Sequence, residues 1–485
     1  MAENLKQKAA KGMVWKLIGN GGTQAIQFFS GIYIARILSP NDYGLVGMMA
    51  IFLGISQVFI DSGFRATLIQ KGNNITHDHY NVVFIFNLVV SIAFYLAIFF
   101  GAPFIADFYG EPQLLMIARI LGLNLIFISL GLIHQTILEK SLKFRSLAKA
   151  RLSAILVSTI CGIVIAILGF GVWSLVIMNL LLNLVYTIIV WVINRWSPSI
   201  SFDFKIFKEL FKKSIQIFSS GILNAISNNI YSLVIGKLFS TADVGFFSQG
   251  EKLQKRISSF IGSTFQGVMY PVQSLMQDDI PRLKNAVRRN VSLTSLVSLP
   301  ALVGLIAIAR PFVLVTLTEK WAPSIYFLQL LSLAGIISTL KAPLNSYILA
   351  LGKFDLALLF SVLRNSIFLA LLFVGIFIKV DLKILVLGII IAELLGFFWA
   401  FYYAKKIIGY TIKEFVNDIF LALIFAIFMG FGVYILGEAF KISILLLLVQ
   451  VISGAVIYLF LNLIFNQKLY VEIKDMIINS WNVKK

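Results

Sequence analysis

The chain has a single cysteine, Cys161, and three histidines in 485 residues. One thiol inside an apolar stretch excludes an intrachain disulfide and a cysteine metal cluster, and leaves redox chemistry without its usual groups. His77-Asp78-His79 looks like a fragment of a metal site, yet no third and fourth ligands are in view, so neither metal nor cofactor is expected. His134 reads as a hydrogen-bonded helix residue. Charged residues are scarce at 13%, and no connection between apolar runs exceeds about twenty residues. That leaves no room for a nucleotide-sugar domain, and no GxxxxGK[ST] phosphate loop is present. No Ser, His and Asp set has interpretable spacing. The expectation is a protein that is not an enzyme and whose work is done among its helices.

What fills the chain is apolar sequence, at 59% of residues. Runs of about 20 residues or more, each able to cross roughly 30 Å of hydrocarbon as a helix, recur from 14–37 to 442–466. They predict an all-α polytopic membrane protein with about 14 transmembrane helices. The basic first residues resemble a signal peptide, but Lys16 and Asn20-Gly21-Gly22 interrupt the apolar run and no small-residue cleavage site follows, so the start is expected to be retained.

The net charge of +19 invites a nucleic-acid reading, which its placement excludes. Most of the Lys and Arg lie at the two ends and in alternate connections, including Lys140, Lys143, Arg145, Lys149, Arg151, Arg282, Lys284, Arg288 and Arg289. Arg36, Lys237, Arg310, Lys320, Lys379, Lys383 and Lys441 fall on the opposite side. This is the positive-inside bias, and it predicts that both termini are cytoplasmic.

The sequence also repeats. Ile34–Gly44 reads IARILSPNDYG and Ile235–Gly245 reads IGKLFSTADVG. Arg36 aligns with Lys237, Ser39 with Ser240, Asp42 with Asp243 and Gly44 with Gly245. Each copy is a tight turn between two helices, with Ser and Asp capping the second and Gly permitting close packing. Further on, Glu111 echoes Glu319 and Lys143-Phe144 echoes Lys353-Phe354, as a duplicated unit with small insertions would. The expected organisation is an N-terminal lobe over 1–200 with helices 1–6, a second lobe over 201–410 with helices 7–12, and an appended part over 411–485 with helices 13–14 and a cytoplasmic tail. Lobes with even numbers of crossings share one orientation, a parallel repeat.

Ionisable groups inside a bilayer are costly and face a cavity or a partner. The eighth helix carries the densest set: Glu251, Lys252, Lys255 and Arg256 share a face with Ser248, Ser259 and Gln266, opposite Leu253, Ile257, Phe260 and Ile261. Counting from Asp243, the three cations lie roughly 15–20 Å along the helix. Their surplus of positive charge suits a diphosphate; the plainer reading is an internal Glu251–Lys255 pair. Asn20, Gln24, Gln27 and Gly31 form a polar stripe on helix 1, as Asn224, Ser227, Asn228 and Tyr231 do on helix 7, suited to sugar hydroxyls or to helix–helix hydrogen bonds. Arg119 and Lys341 occupy corresponding helices of the two lobes and could form a two-sided basic cavity or pair locally. Arg364 can snorkel, and Asp61 is placed to pair with Arg65 one turn on. If transport is coupled to an ion, Asp61, Glu251 and Glu393 are the carboxylates available.

With ARILSPNDYGLVG after the first helix, and over the stretch Gly12–Gly63 in particular, the chain resembles the polysaccharide transporter branch of the multidrug/oligosaccharidyl-lipid/polysaccharide flippase superfamily, and within it the Wzx-type flippases. The resemblance implies alternating-access movement of a polyprenyl-diphosphate-linked oligosaccharide across the bacterial inner membrane for surface polysaccharide assembly. It implies the lipid bilayer and the lipid-linked oligosaccharide as partners, with a polymerase and chain-length machinery alongside. Lys252, Lys255 and Arg256 are the expected headgroup contacts, Arg119 and Lys341 secondary ones, and Gln27 and Asn228 sugar contacts. Arg36 and Lys237 stand at the far mouth, as anion attractors or as helix caps. Three alternatives stay open: a cation-coupled multidrug exporter, disfavoured because Lys16–Arg36 contains no carboxylate; a lipid II flippase; and, from another class, a membrane-embedded polysaccharide polymerase.

Overall fold

The computed structural model describes residues 2–71 and 75–465, and among them every regular element is helical. The side chain of Lys16 and the expected cytoplasmic tail beyond Phe465 lie outside the described residues. Among the described residues, eleven helices are long and apolar enough to cross a membrane, with Pro40–Gln70 counted as one. Ala2–Ile37, Phe204–Leu238 and Thr241–Ser274 are as long but more polar. The chain divides into two compact units at Ser248/Gln249.

The first unit contains α1 (Ala2–Ile37), α2 (Pro40–Met48), α3 (Ala50–Asp61), α4 (Phe64–Gln70), α5 (His77–Tyr109), α6 (Leu114–Lys140), α7 (Phe144–Ile167), α8 (Val172–Ile193) and α9 (Phe204–Leu238). α10 (Thr241–Ser274) begins here and carries the chain into the second unit. In the first unit α1 packs on α7, α5 and α8 on α6, and α9 on α3. Phe64, Leu68, Val83, Ile133 and Leu210 close one core, and Leu138, Ala154, Tyr186 and Val190 another.

The duplicated turns are built alike. Ser39 Oγ donates to Asp42 Oδ2 (2.7 Å) and accepts from Asp42 N (3.3 Å), while Ser39 N donates to Asp42 Oδ2 (2.8 Å). Ser240 and Asp243 repeat all three bonds at 2.7, 3.1 and 3.1 Å. Both are reciprocal capping boxes, each satisfying two otherwise orphaned backbone donors. The turns also press on one another. A methyl group at Gly44 would overlap the Thr241 carbonyl oxygen, and one at Gly245 the Pro40 carbonyl oxygen. Lys237 caps its neighbour: its Nζ donates to Phe108 O (2.6 Å) in the last turn of α5 and lies 4.7 Å over the Phe108 ring.

The second helix is less simple than its apolar run predicts. It is interrupted at Met49 and again at Ser62 and Gly63, both left-handed at φ 44° and 72°. Glycine adopts that conformation freely, whereas Ser62 does so at a cost of about 1 kcal/mol or more. The two left-handed residues end α3 at Asp61 and aim Arg65 in a new direction.

At the end of the first unit that holds the basic connections, His77 Nε2 donates to Ser197 O (3.1 Å) and Asn81 holds Ser199 N (2.8 Å). His79 lies against Lys71 and Thr76. These contacts fasten the link before α9 to the start of α5.

The second unit contains the rest of α10, then α11 (Ile280–Thr316), α12 (Ser324–Ala350), α13 (Phe354–Phe377), α14 (Leu382–Ile408), α15 (Ile412–Ala439) and α16 (Ile444–Phe465). α11 starts well before its apolar run, because Asp279 accepts from Arg282 N (3.1 Å) as N-cap and a proline occupies the first turn. The basic residues Arg282–Arg289 are therefore helical. α11 packs against α12, α15 and α16 around Val291, Leu299, Tyr347, Phe401, Phe415 and Met429. Arg288 forks onto Asp418 (2.9 and 2.7 Å), Tyr410 OH donates to the same carboxylate (2.8 Å), and Lys284 pairs with Glu414 (2.8 Å). Tyr458 OH donates to Leu296 O (2.9 Å), tying α16 to α11 as well.

Candidate functional site

Within the first unit, toward the end that carries the basic connections, lies a cavity of about 940 Å³. Each wall is one face of a helix. Gly54, Gln57, Val58 and Asp61 come from α3, Gly131, Gln135 and Glu139 from α6, Ala148 and Arg151 from α7, and Asn183, Tyr186 and Thr187 from α8. The three- and four-residue spacings are those of a single helical stripe. Asn20 of α1, Arg65 of α4 and Ile217, Phe218 and Gly221 of α9 add to the lining. Amides and a hydroxyl alternate with apolar surface, a mixture able to receive sugar rings and their hydroxyls.

The charges in this cavity are arranged unevenly. The Arg65 side chain forks onto Glu139, with Nε–Oε2 at 3.0 Å and Nη2 on Oε1, while its backbone N–H bonds Asp61; Gln135 Nε2 adds a bond to the Glu139 carboxylate (3.0 Å). The expected Asp61–Arg65 pairing thus gives way to a bond between α4 and α6, because the left-handed turn at Ser62 and Gly63 rotates Arg65 off the face of α3. Asp61 keeps one buried carboxylate oxygen, Oδ1, without a hydrogen-bond partner. Arg151 also lines the cavity and lies 5.4 Å over the Tyr186 ring, a cation–π contact that uses the guanidinium face and not its N–H donors. The fixed salt bridge cancels itself, so the unmatched pair facing the interior is Arg151 and Asp61.

The residues singled out in the sequence are dispersed. Lys255 pairs with Glu251 one turn away at 2.8 Å, and Lys252 and Arg256, on the same helix, also have interactions of their own. Lys341, 7% exposed, pairs with Glu393, which Arg364 reaches at 3.5 Å, all inside the second unit. Arg119 donates to Phe99 O (3.3 Å) and lies 4.5 Å over the Phe99 ring, joining α6 to α5. Asn228 is exposed and Gln27 half-buried. From the first helical stripe Asn20 lines the cavity, and Gln24 Oε1 is buried without a partner. Of the three candidate coupling carboxylates, Asp61 alone lines the cavity.

Sequence reasoning passed over Arg65, Gln135, Glu139, Arg151, Asn183 and Tyr186 as a group. Arg65 was accounted for by Asp61, and Arg151 by the charge of its connection. The available signal was Gln135 and Glu139, polar residues four apart at the end of an apolar run, where a lone acid precedes a basic cluster.

A helical unit with several membrane-crossing helices around a polar cavity is the architecture of a multi-pass membrane protein. The chain belongs to the polysaccharide biosynthesis protein family, which it matches over residues 33–326. It is similar to the lipopolysaccharide biosynthesis protein WzxC of Escherichia coli K12, 20% identical over 86% of this chain and 85% of that protein. It is likewise similar to the succinoglycan biosynthesis transport protein ExoT of Rhizobium meliloti, 25% identical over 70% of this chain and 68% of that one. Among solved structures it is similar to the lipid II flippase MurJ in an inward closed conformation, with a TM-score of 0.73 at 16% identity, over 94% of this chain and all of that one. That likeness carries the fold.

Proposed function

We propose that this protein is an alternating-access flippase that moves a polyprenyl-diphosphate-linked oligosaccharide from the cytoplasmic to the outer leaflet of the inner membrane. Its termini are cytoplasmic, its fourteen helices form two six-helix lobes and an appended pair, and a polymerase and chain-length machinery act on what it delivers. The observation that carries this reading is the cavity of about 940 Å³ holding Arg151 against Tyr186. Its size is at the upper end of the roughly 300–1,000 Å³ typical of ligand sites, and it opens among the basic connections that the positive-inside bias assigns to the cytoplasm. Arg151 meets the diphosphate, with Arg65 second in line, while Gln57, Gln135 and Asn183 meet the first sugars. The names of the relatives support export in polysaccharide biosynthesis. Lys252, Lys255, Arg256 and Lys341 act later along the path, after their present partners release them.

The test is accumulation of labelled lipid-linked precursor in a strain whose only copy of the protein carries Arg151→Glu. Precursor retained on the cytoplasmic side, with loss of surface polymer and normal protein abundance, is the expected result. Normal surface polymer in that strain refutes the assignment of the cavity.

A further inference from the structure

We infer that Asp61 is a proton-binding residue of this cavity, and that its proton and the anionic headgroup bind together rather than in exchange. The inference rests on the headgroup reading of the cavity and adds to it a second ligand, the proton.

The argument begins with a cost. A carboxylate oxygen buried without a hydrogen-bond donor loses its hydration with nothing in return, and an ionised group loses the most. Asp61 Oδ1 is in that position. The side chain of Arg65, one turn on, is committed to Glu139 through both Nε and Nη2, so that Asp61 keeps from it only a backbone N–H and the attraction of its charge, and Oδ1 has no donor. Glu139 is held further by Gln135 at 3.0 Å. The other intramembrane carboxylates differ in this respect: Glu251 has Lys255 at 2.8 Å, and Glu393 has Lys341 and Arg364. Protonation relieves Asp61 and is available to it from the cavity.

The surroundings set the sign. The charged and titratable groups lining the same cavity are Arg65, Glu139, Arg151 and Tyr186. α9, which packs on α3, contributes Ile217, Phe218 and Gly221, and α5 contributes no lining residue. With Asp61 ionised, the two arginines and two carboxylates sum to zero. With Asp61 protonated the cavity is positive by one charge, centred on Arg151. A diphosphate prefers the second state, and its own negative charge in turn favours the proton on Asp61. The step is a simple transfer: hydronium entering from bulk water gives its proton to an Asp61 carboxylate oxygen, breaking its own O–H bond, forming the carboxyl O–H and leaving neutral water, so the cavity is one charge more positive. On exit of the anion the proton returns to water.

The test uses the full-length protein in lipid nanodiscs, with farnesyl diphosphate as the headgroup probe, comparing wild type with Asp61→Asn across roughly pH 5 to 9. Infrared difference spectra are expected to contain a protonated-carboxyl band in the wild type that is missing in D61N. Farnesyl diphosphate is expected to bind the wild type more tightly as pH falls, by up to about tenfold per pH unit beyond the slope D61N shows. D61N retains only the slope due to the probe's own ionisation. Absence of the band difference at every pH overturns the inference. So does an identical slope in both proteins, or wild-type binding that weakens with acid more steeply than binding to D61N. If the band is present but the wild type binds no diphosphate at any pH, the headgroup reading falls and the linkage with it, while the proton on Asp61 stands.

Discussion

Gly44 and Gly245 each face a backbone carbonyl of the other's turn, Gly44 that of Thr241 and Gly245 that of Pro40. The relation is reciprocal, so the two copies of one motif are each other's binding partner. Each glycine is required by the space at its α-carbon and not by its torsion angles.

Replacing either glycine with alanine forces the turns apart at backbone atoms, which do not yield as a side chain would. G44A and G245A are each expected to destabilise the protein by about 1–3 kcal/mol or more. Because both open one contact, the double variant should cost less than the sum, with a coupling of about 0.5–3 kcal/mol. Thermal unfolding in detergent measures it, and strict additivity would show that the turns act independently.

Arg151→Ala removes a charged donor fork from the cavity. Loss of one charge-assisted contact of about 1.5–3 kcal/mol weakens diphosphate-lipid binding by about ten- to hundredfold. Lys255→Ala should cost less, since Glu251 already holds that ammonium at 2.8 Å. Titration of both variants with the same lipid ranks them, and a larger loss in the Lys255 variant would move the headgroup site to α10.

Lys341 and Glu393 form a pair inside the second unit with side chains 9% and 14% exposed. Lys341→Met leaves Glu393 with only the longer, 3.5 Å contact to Arg364, and breaking such a buried pair costs about 3–5 kcal/mol. K341M/E393L, which removes both charges, should recover most of that. Recovery of stability in the double variant, read by thermal melting, distinguishes a structural pair from a transport residue, whose activity would stay lost.

Asp418→Asn weakens the bidentate acceptor of Arg288 and the partner of Tyr410. The pair is partly exposed, with side chains 33% and 14% accessible, so the expected cost is about 1–3 kcal/mol. Limited proteolysis should then reach the connection before α15, around Gly409, earlier than in wild type.

Much of the helical layout was legible because apolar runs and helix lengths are set by one property, the solvent they face. The Ser39–Asp42 and Ser240–Asp243 caps were legible because a capping box is local. The breaks in the second helix were not. A left-handed Ser62 is imposed by packing, and serine carries no sign of it. The helical Arg282–Arg289 segment was hidden by its charge, which marks the edge of the apolar run and not the edge of the helix. The cavity was hardest to see because α1, α4 and the longer helices each supply only a few polar groups. Clusters on a single helix, such as Glu251–Arg256, stand out in sequence, yet there Lys255 is already paired with Glu251.

The bonds from Arg288 to Asp418 and from Tyr458 to Leu296 have a mechanical corollary. They rivet the last two helices to α11 at two separate heights, so 412–465 travels as a flange wherever α11 goes. On the proposed flippase reading, a hydrocarbon tail resting on that flange would be carried with α11 and would not slide past a stationary wall.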